Sequence, residues 1–185
     1  MFFELITLHN PSNGKTMETI QAERRIELRK FQESDLDAFY VWASDPEVTK
    51  TMTWEAYTSK PEALKFLKEV VLSHNWFMAI CVNGVPVGSI TLTQGKGSSF
   101  CKAELGYVIA KKFWGKGIAT YAVQQALEHG FKELGVRRIE AFVDPENLPS
   151  RRVLEKVGMH CEGLLKNYIV FKGSLRDRYI YAVTR

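Results

Sequence analysis

Six consecutive residues, Trp114-Gly115-Lys116-Gly117-Ile118-Ala119, carry the strongest chemical signal in this chain. The residues before them read as a strand and those after as a helix. Such a turn presents the unpaired N–H groups of a helix's first turn together with the positive end of its dipole. Glycines let the backbone approach a ligand closely, so the natural occupant is an anion, as on a phosphate-bearing molecule. Two familiar phosphate motifs fail at these positions. A P-loop needs glycine at position 110 and Ser or Thr after the lysine, where this chain has Ala110 and Gly117; a Rossmann fingerprint needs a third glycine where Thr120 stands. A Rossmann turn also follows the first strand of its unit, whereas this one lies in mid-chain. The structural alternative is a plain flexible turn before a helix.

Other reactive residue types point away from several functions. His74, His129 and His160 have neither metal-ligand spacing nor a Ser or Cys motif beside them, and His9 lies in the opening segment, so no metal is expected. Cys81, Cys101 and Cys161 are far apart and odd in number, which fits a reducing compartment and a cytoplasmic protein better than a disulfide framework. The net charge of +4 is spread along 185 residues without a basic block, so specific nucleic-acid binding is not implied. Met1 to Leu8 is apolar but contains Glu4 and lacks a basic start, a poor signal peptide and too short a stretch to cross a bilayer; no membrane partner is expected.

The elements that must position the turn can be read from periodicity. Residues 1–22 hold the turn-forming run Asn10-Pro11-Ser12-Asn13-Gly14 and read as a loosely ordered leader, and residues 23–185 as a single domain. Ile26 to Phe31 alternates as a strand, and Ser34 is placed to cap a helix through Phe39 and Trp42 that Asp45-Pro46 ends. Ser59 and Glu62 have capping-box spacing before a second helix containing Leu64, Leu67, Val70 and Val71. Trp76–Val82, Asn83-Gly84 and Val85–Thr93 form a hairpin pattern, because both turn residues favour positive φ. Then come a strand over Glu104–Ile109, a helix over Gly117–Leu134, a strand over Arg138–Val143 and a short helix over Leu148–Val157. Two strands, Met159–Phe171 and Leu175–Val183, turn at Lys172-Gly173. The strand-helix-strand spacing suits a parallel crossover, and the whole implies an α/β fold with helices on both faces of a mixed sheet.

Glu104-Leu105-Gly106-Tyr107-Val108-Ile109 followed by Trp114 to Thr120 closely resembles the acetyl-CoA-binding motif of GNAT acetyltransferases. A second block, Asn147 to Met159 followed by Glu162-Gly163, is similar to the branch that includes ribosomal-protein N-terminal acetyltransferases. The resemblance covers about Arg25 to the C-terminus. It implies a three-layer fold with a mixed, mostly antiparallel central sheet flanked by helices, present as a monomer or homodimer. It implies an acetyl-CoA-dependent N-acetyltransferase whose acceptor is a primary amine on a protein N-terminus or a small molecule. A catalytically inactive acetyl-CoA-binding module is the alternative. The cofactor strand, at Val108 and Ile109, would splay from its neighbour and pair with pantetheine. The diphosphate would lie on the amides of Trp114, Gly115, Lys116, Gly117, Ile118, Ala119 and Thr120. Two positions depart from the pattern: Lys112 stands where Gln or Arg is usual, and Tyr121 where the ribosomal-protein branch often has Glu.

Direct acetyl transfer needs a deprotonated amine, a polarised thioester carbonyl and a proton for the departing thiolate. Glu104, beside the cofactor strand, is the candidate base; its alternatives are an exposed strand carboxylate or a structural partner for an arginine. The tyrosine that many relatives use as proton donor is replaced by Leu154, and Ser150 at the start of the same helix is the substitute the resemblance offers. Ser150 can equally be a first-turn hydroxyl that satisfies helix N–H groups. Asn147 either caps that helix or bonds the pantetheine arm, or does both. Arg151 and Arg152 sit where cations oppose the helix dipole unless an anion such as a CoA phosphate is near, with a solvated basic turn as the other reading. Trp42 and Trp76 suit core packing, whereas Trp54 and Tyr57, in the loop between the first helices, are candidates for the acceptor wall.

Overall fold

The computed structural model describes residues 25–185, so the leader expected over residues 1–22 lies outside the described residues. Its strands are β1 (Ile26–Lys30), β2 (Phe77–Val82), β3 (Val85–Gln94), β4 (Lys102–Ile109), β5 (Arg138–Val143), β6 (His160–Phe171) and β7 (Ser174–Thr184). They form one sheet in the order β1-β2-β3-β4-β5-β7-β6. Every pairing is antiparallel except β4 with β5. The helices are α1 (Leu36–Ala43), α2 (Pro46–Thr49), α3 (Lys60–Phe66), α4 (Ile118–Lys132) and α5 (Leu148–Lys156). Asn83 and Gly84 hold φ of 53° and 80°, as the hairpin between β2 and β3 requires. The mixed, mostly antiparallel sheet with helices on both faces is the α/β architecture that the element order implies.

Side-chain alternation divides the interior in two. Ile80, Ile90, Leu105 and Ile139 face α4 and α5, whose Ala122, Val123, Ala126 and Leu154 are fully buried against them. Ala79, Cys81 and Val108 face the other way, toward Phe39, Trp42 and Ala43 of α1 and Ala63 of α3. Gly130 lets α4 lie close to the sheet, because a Cβ there would stand 2.6 Å from Ile139 Cδ1. Trp42 and Trp76 are both core residues, 2% and 9% exposed, and Trp76 stacks on His129 with ring centres 4.9 Å apart.

Three helix starts differ from the sequence reading. Ser34 does not cap α1; a 3-10 turn over Glu33–Asp35 precedes it, and the Asp35 carboxylate accepts from the Gln32 amide at 2.9 Å. Long-range charge decides this, since Arg29 on β1 donates to both Asp35 oxygens at 2.7 Å. Pro46 ends α1 as expected but also opens α2, whose cap is Asp45, accepting from the Glu47 amide at 2.9 Å. The Ser59 side chain makes no cap bond, and Glu62 instead accepts from the Thr58 amide at 3.3 Å. α3 then continues as a π turn over Leu67–Val71, where Leu72 donates to the Leu67 carbonyl.

The Arg29 guanidinium holds the Asp35 carboxyl below the usual aspartate range despite burial. A depressed carboxyl contributes stability above its unfolded value, and this is lost as pH falls through the folded one. Asp35→Asn should therefore lower stability at pH 7 by about 2 kcal/mol. Urea unfolding of both proteins should show that gap closing as pH falls below the ordinary aspartate range.

Candidate active site

The parallel ladder between β4 and β5 is short. It joins Lys102, Ala103 and Glu104 to Arg138, Ile139 and Glu140 and then stops, although β4 runs on to Ile109 and β5 to Val143. Beyond Glu104, β4 pairs only with β3, so its other edge offers unpaired backbone groups that must be satisfied by something other than sheet. The opening leads into a cavity of about 410 Å³. Its walls come from β4 (Glu104 to Val108), β5 and its end (Ala141 to Asp144), the start of α5 (Asn147, Ser150) and the segment from Thr51 to Tyr57.

At the far end of β4 the glycine turn takes the shape an anion site requires. Gly115 and Gly117 have φ of 70° and 76°, a region unfavourable to side-chain-bearing residues. The first backbone bond of α4 runs from the Tyr121 amide to the Gly117 carbonyl at 3.0 Å. The amides of Lys116, Gly117, Ile118, Ala119 and Thr120 therefore donate to no carbonyl or side chain among the described residues. Five free amides at the N-terminus of a 15-residue helix form a cradle for a phosphate group. Lys112 and Lys116 flank the Phe113 ring beside it, at 5.4 and 5.2 Å. The Trp114 indole N–H donates to the Ile109 carbonyl at 2.6 Å, which ties the turn to the end of β4.

The start of α5 faces the cleft. Asn147 caps it by accepting from the Ser150 amide at 3.1 Å, and its Nδ2 donates to Thr51 Oγ1 at 3.2 Å, joining the helix to the acceptor-side loop. The Ser150 hydroxyl lies 2.7 Å from the Tyr107 hydroxyl, and both residues line the cavity. Burial pushes the Tyr107 phenol up to about 12, against the opposing bond from Ser150, so it keeps its proton at neutral pH. Leu154 is fully buried in the core.

Glu104 stands at the last rung of the β4–β5 ladder, opposite Glu140. Glu140 is buried, but bonds from Lys102 at 2.6 Å and Arg138 at 2.9 Å outweigh that burial and hold its carboxyl below the ordinary glutamate range. Glu104 makes no such bond. Its side chain reaches solvent at the cavity mouth, yet surrounding groups desolvate it, and with the Glu140 charge they raise its affinity for a proton over the opposing pull of Lys102. The arginine-paired carboxylate considered for Glu104 is thus found at Glu140.

Trp54 and Tyr57 both line the cavity, as does Trp42, which the sequence reads only as core. The wall is stiffened by aromatic contacts: Phe39 meets Trp42 edge-on at 4.6 Å, and Tyr57 and Phe66 lie 5.9 Å apart, each such pair contributing about 0.5–1.5 kcal/mol. Arg178 also lines the cavity and is buried, with Nη1 donating to Asp144 at 2.8 Å and to the Asp177 carbonyl at 2.9 Å. Trp42 Nε1, Trp54 Nε1 and Arg178 Nη2 are buried without a partner among the described residues, at a cost of about 1–3 kcal/mol each.

Residues 25–160 match the model of the acetyltransferase (GNAT) domain. The chain belongs to the GNAT family. It is 36% identical over 178 residues to a Bacillus licheniformis protein named uncharacterized N-acetyltransferase p20, covering 91% of this chain and 97% of that one. It superposes on Mycobacterium smegmatis RimJ in complex with CoA-disulfide with a TM-score of 0.71 at 31% identity, over 86% of this chain and 81% of that one. The ribosomal protein uS5 alanine N-acetyltransferase of Escherichia coli is 34% identical over 86 residues, 46% of this chain and 44% of that one. This GNAT protein is accordingly an acetyl-CoA-dependent acyltransferase of the ribosomal-type branch, and the inactive-module alternative gains no support.

Within the GNAT domain, the open β4 edge and the free amides of the turn fit a cofactor with an amide-bearing arm and a diphosphate. The structure gathers Glu104, Tyr107, Ser150, Asn147, Trp54 and Tyr57 around one cavity. Arg151 is engaged elsewhere: its Nε donates to the Tyr181 hydroxyl at 3.2 Å and its guanidinium stacks on the Tyr179 ring at 4.5 Å. Arg152 is exposed. Tyr107 and Arg178 were missed as site residues. Tyr107 sits inside the motif itself, but its partner Ser150 is 43 positions away, and only Asp144, a charge at the end of a buried strand, hinted at Arg178.

Gly117→Val tests the cradle. A β-branched residue at φ of 76° costs about 1–2 kcal/mol, so the melting midpoint should fall by only a few degrees. Acetyl-CoA affinity measured by calorimetry should fall at least tenfold, about 1.4 kcal/mol.

Proposed function

We propose that this protein transfers an acetyl group from acetyl-CoA to a primary amine, on a protein N-terminus or a small molecule, by direct attack, with Glu104 as base and Ser150 as proton donor. The observation that carries this reading is the 2.7 Å contact between the Tyr107 and Ser150 hydroxyls in the same cavity that Glu104 borders. Acetyl-CoA supplies the activated acetyl group and leaves as a thiolate that needs a proton.

An alkyl ammonium must lose one proton before its nitrogen can attack, and a second as the new N–C bond forms. Glu104, at the cavity mouth with its proton affinity raised, receives a proton directly or through one water and returns it to solvent. On the other side, Ser150 delivers its hydroxyl proton to the thiolate and draws a replacement from Tyr107 across their hydrogen bond, and the second amine proton, released as the N–C bond forms, returns to the Tyr107 phenol through solvent. Tyr107 suits this role because its phenol stays protonated at neutral pH. Asn147 fixes Ser150 by capping the helix that carries it. The free amides of Lys116 to Thr120 and the edge at Val108 and Ile109 would anchor the cofactor; the Trp114 amide does not join them, because it donates to the Lys111 carbonyl at 3.1 Å.

Measuring CoA release with an amine panel tests the scheme. Ser150→Ala and Tyr107→Phe should each lower kcat by about 10- to 100-fold with acetyl-CoA affinity unchanged. Glu104→Gln should lower kcat/KM by about 100-fold. The base works only when ionised, so activity of the parent protein should fall on the acid side with a midpoint above the ordinary glutamate value. That limb should vanish in Glu104→Gln; a retained limb would remove Glu104 as base.

A further inference from the structure

We propose that the acceptor is a small amine that also carries a carboxylate, of α-amino-acid size, with the carboxylate held by Arg178 and Trp54. This rests on the acetyl-transfer reading above. Among the described residues, the buried side-chain nitrogens and oxygens without a partner are Trp42 Nε1, Trp54 Nε1 and Arg178 Nη2. All three residues line the one cavity, and all three atoms are donors. Buried donors without partners are complemented by a ligand that brings oxygen lone pairs. A polyamine or aminosugar cation brings mainly N–H donors, which a guanidinium and an indole cannot accept.

Arg178 is the anchor. It is 4% exposed, its Nη1 is committed to Asp144 and to the Asp177 carbonyl, and its ring-facing side lies over Phe171 at 5.2 Å, so Nη2 is held in one direction. Asp144 does not leave the region negative, because Arg176 Nε also stands 3.8 Å from it. Glu104 borders the same cavity and attracts an ammonium. A carboxylate-bearing amine thus meets an acid for its amine and a guanidinium for its acid.

The walls favour a compact acceptor. The loop that roofs the cavity is pinned from the β6–β7 turn, where Lys172 Nζ donates to the Thr49 carbonyl at 3.2 Å and pairs with Glu55 at 3.1 Å. It is pinned again from α5 by the bond from Asn147 to Thr51. The cavity of about 410 Å³ has to admit the acetyl end of the cofactor as well, which leaves room for a compact acceptor.

The test measures CoA release by the full-length protein with each of the twenty L-amino acids, its decarboxylated amine and its α-amide. Spermidine and a tetrapeptide with a free N-terminus complete the panel. At least one amino acid should exceed both its amine and its amide by about 30-fold in kcat/KM, roughly 2 kcal/mol of discrimination. Arg178 itself is a poor first variant, since its loss strands the buried Asp144. Trp54→Phe keeps an aromatic ring and removes the indole donor. It should raise KM for that amino acid about tenfold more than KM for the decarboxylated amine, and preserve acetyl-CoA affinity. Equal or better use of the amine, amide, spermidine or peptide overturns the proposal, as does an equal effect of Trp54→Phe on all acceptors. Failure of every amino acid while acetyl-CoA still binds overturns it alone; failure to bind acetyl-CoA overturns the acetyl-transfer reading with it.

Discussion

The site depends on where the parallel pairing of β4 and β5 stops. Three rungs hold the strands together, and the last sets Glu104 against Glu140. Two carboxylates side by side oppose further closure, and only one of them can be neutralised by the cations at hand. Lys102 and Arg138 both go to Glu140, and Arg138 reaches on to Glu162, so the neighbouring strand is clamped while Glu104 is left at the mouth of the gap. Past this point the strands diverge, and the edge of β4 is left with backbone groups for a ligand to satisfy.

Everything else in the site is held relative to that gap. α4 leaves the end of β4 through a turn that only left-handed glycines make compact, so its free amides lie in line with the open strand edge. α5 leaves the end of β5, and its first turn brings Ser150 back across to Tyr107 on β4. One hydrogen bond between hydroxyls thus spans the gap that backbone pairing has abandoned. The same arrangement sets Glu104, the proposed base, at the ladder's end and Ser150, the proposed donor, at the helix start.

The acceptor side is assembled from segments with no common sequence neighbourhood. The aromatic cluster of α1 and α3 supplies a rigid wall, the β6–β7 turn pins the roof through Lys172, and α5 pins it through Asn147. Buried donors without partners are tolerated because the remainder of the wall is well packed, which is how binding sites carry local cost within a stable domain. Asp144 and Arg178, 34 positions apart, show the same economy: one arm of the guanidinium secures the fold, and another is left for a ligand.

Local physical chemistry was legible in the chain without its fold. Asn83-Gly84 could only be a hairpin turn, since two adjacent residues with positive φ are required there. The strand, glycine turn and helix over Glu104 to Lys132 announced an anion site because free amides and a helix dipole are local properties. Asn147 as a cap followed from its place just before the helix, and Trp54 and Tyr57 on the cavity wall from the family resemblance together with their place in the loop between helices. Two caps were not legible: Ser34 and Ser59 have the right chemistry, but the Arg29 guanidinium claims Asp35, and the Thr58 amide, one residue earlier than a capping box would use, claims Glu62. Nor were the pairings of Tyr107 with Ser150, Arg178 with Asp144 and Arg151 with Tyr181, or the choice of Glu140 over Glu104 as the clamped carboxylate. These are distances between residues far apart in the chain, and only the packing of strands and helices sets them. Sequence alone therefore determined the elements and the glycine turn with its free amides, while tertiary structure decided which side chains meet, because hydrogen bonds and ion pairs act over a few ångströms of space and carry no memory of sequence separation.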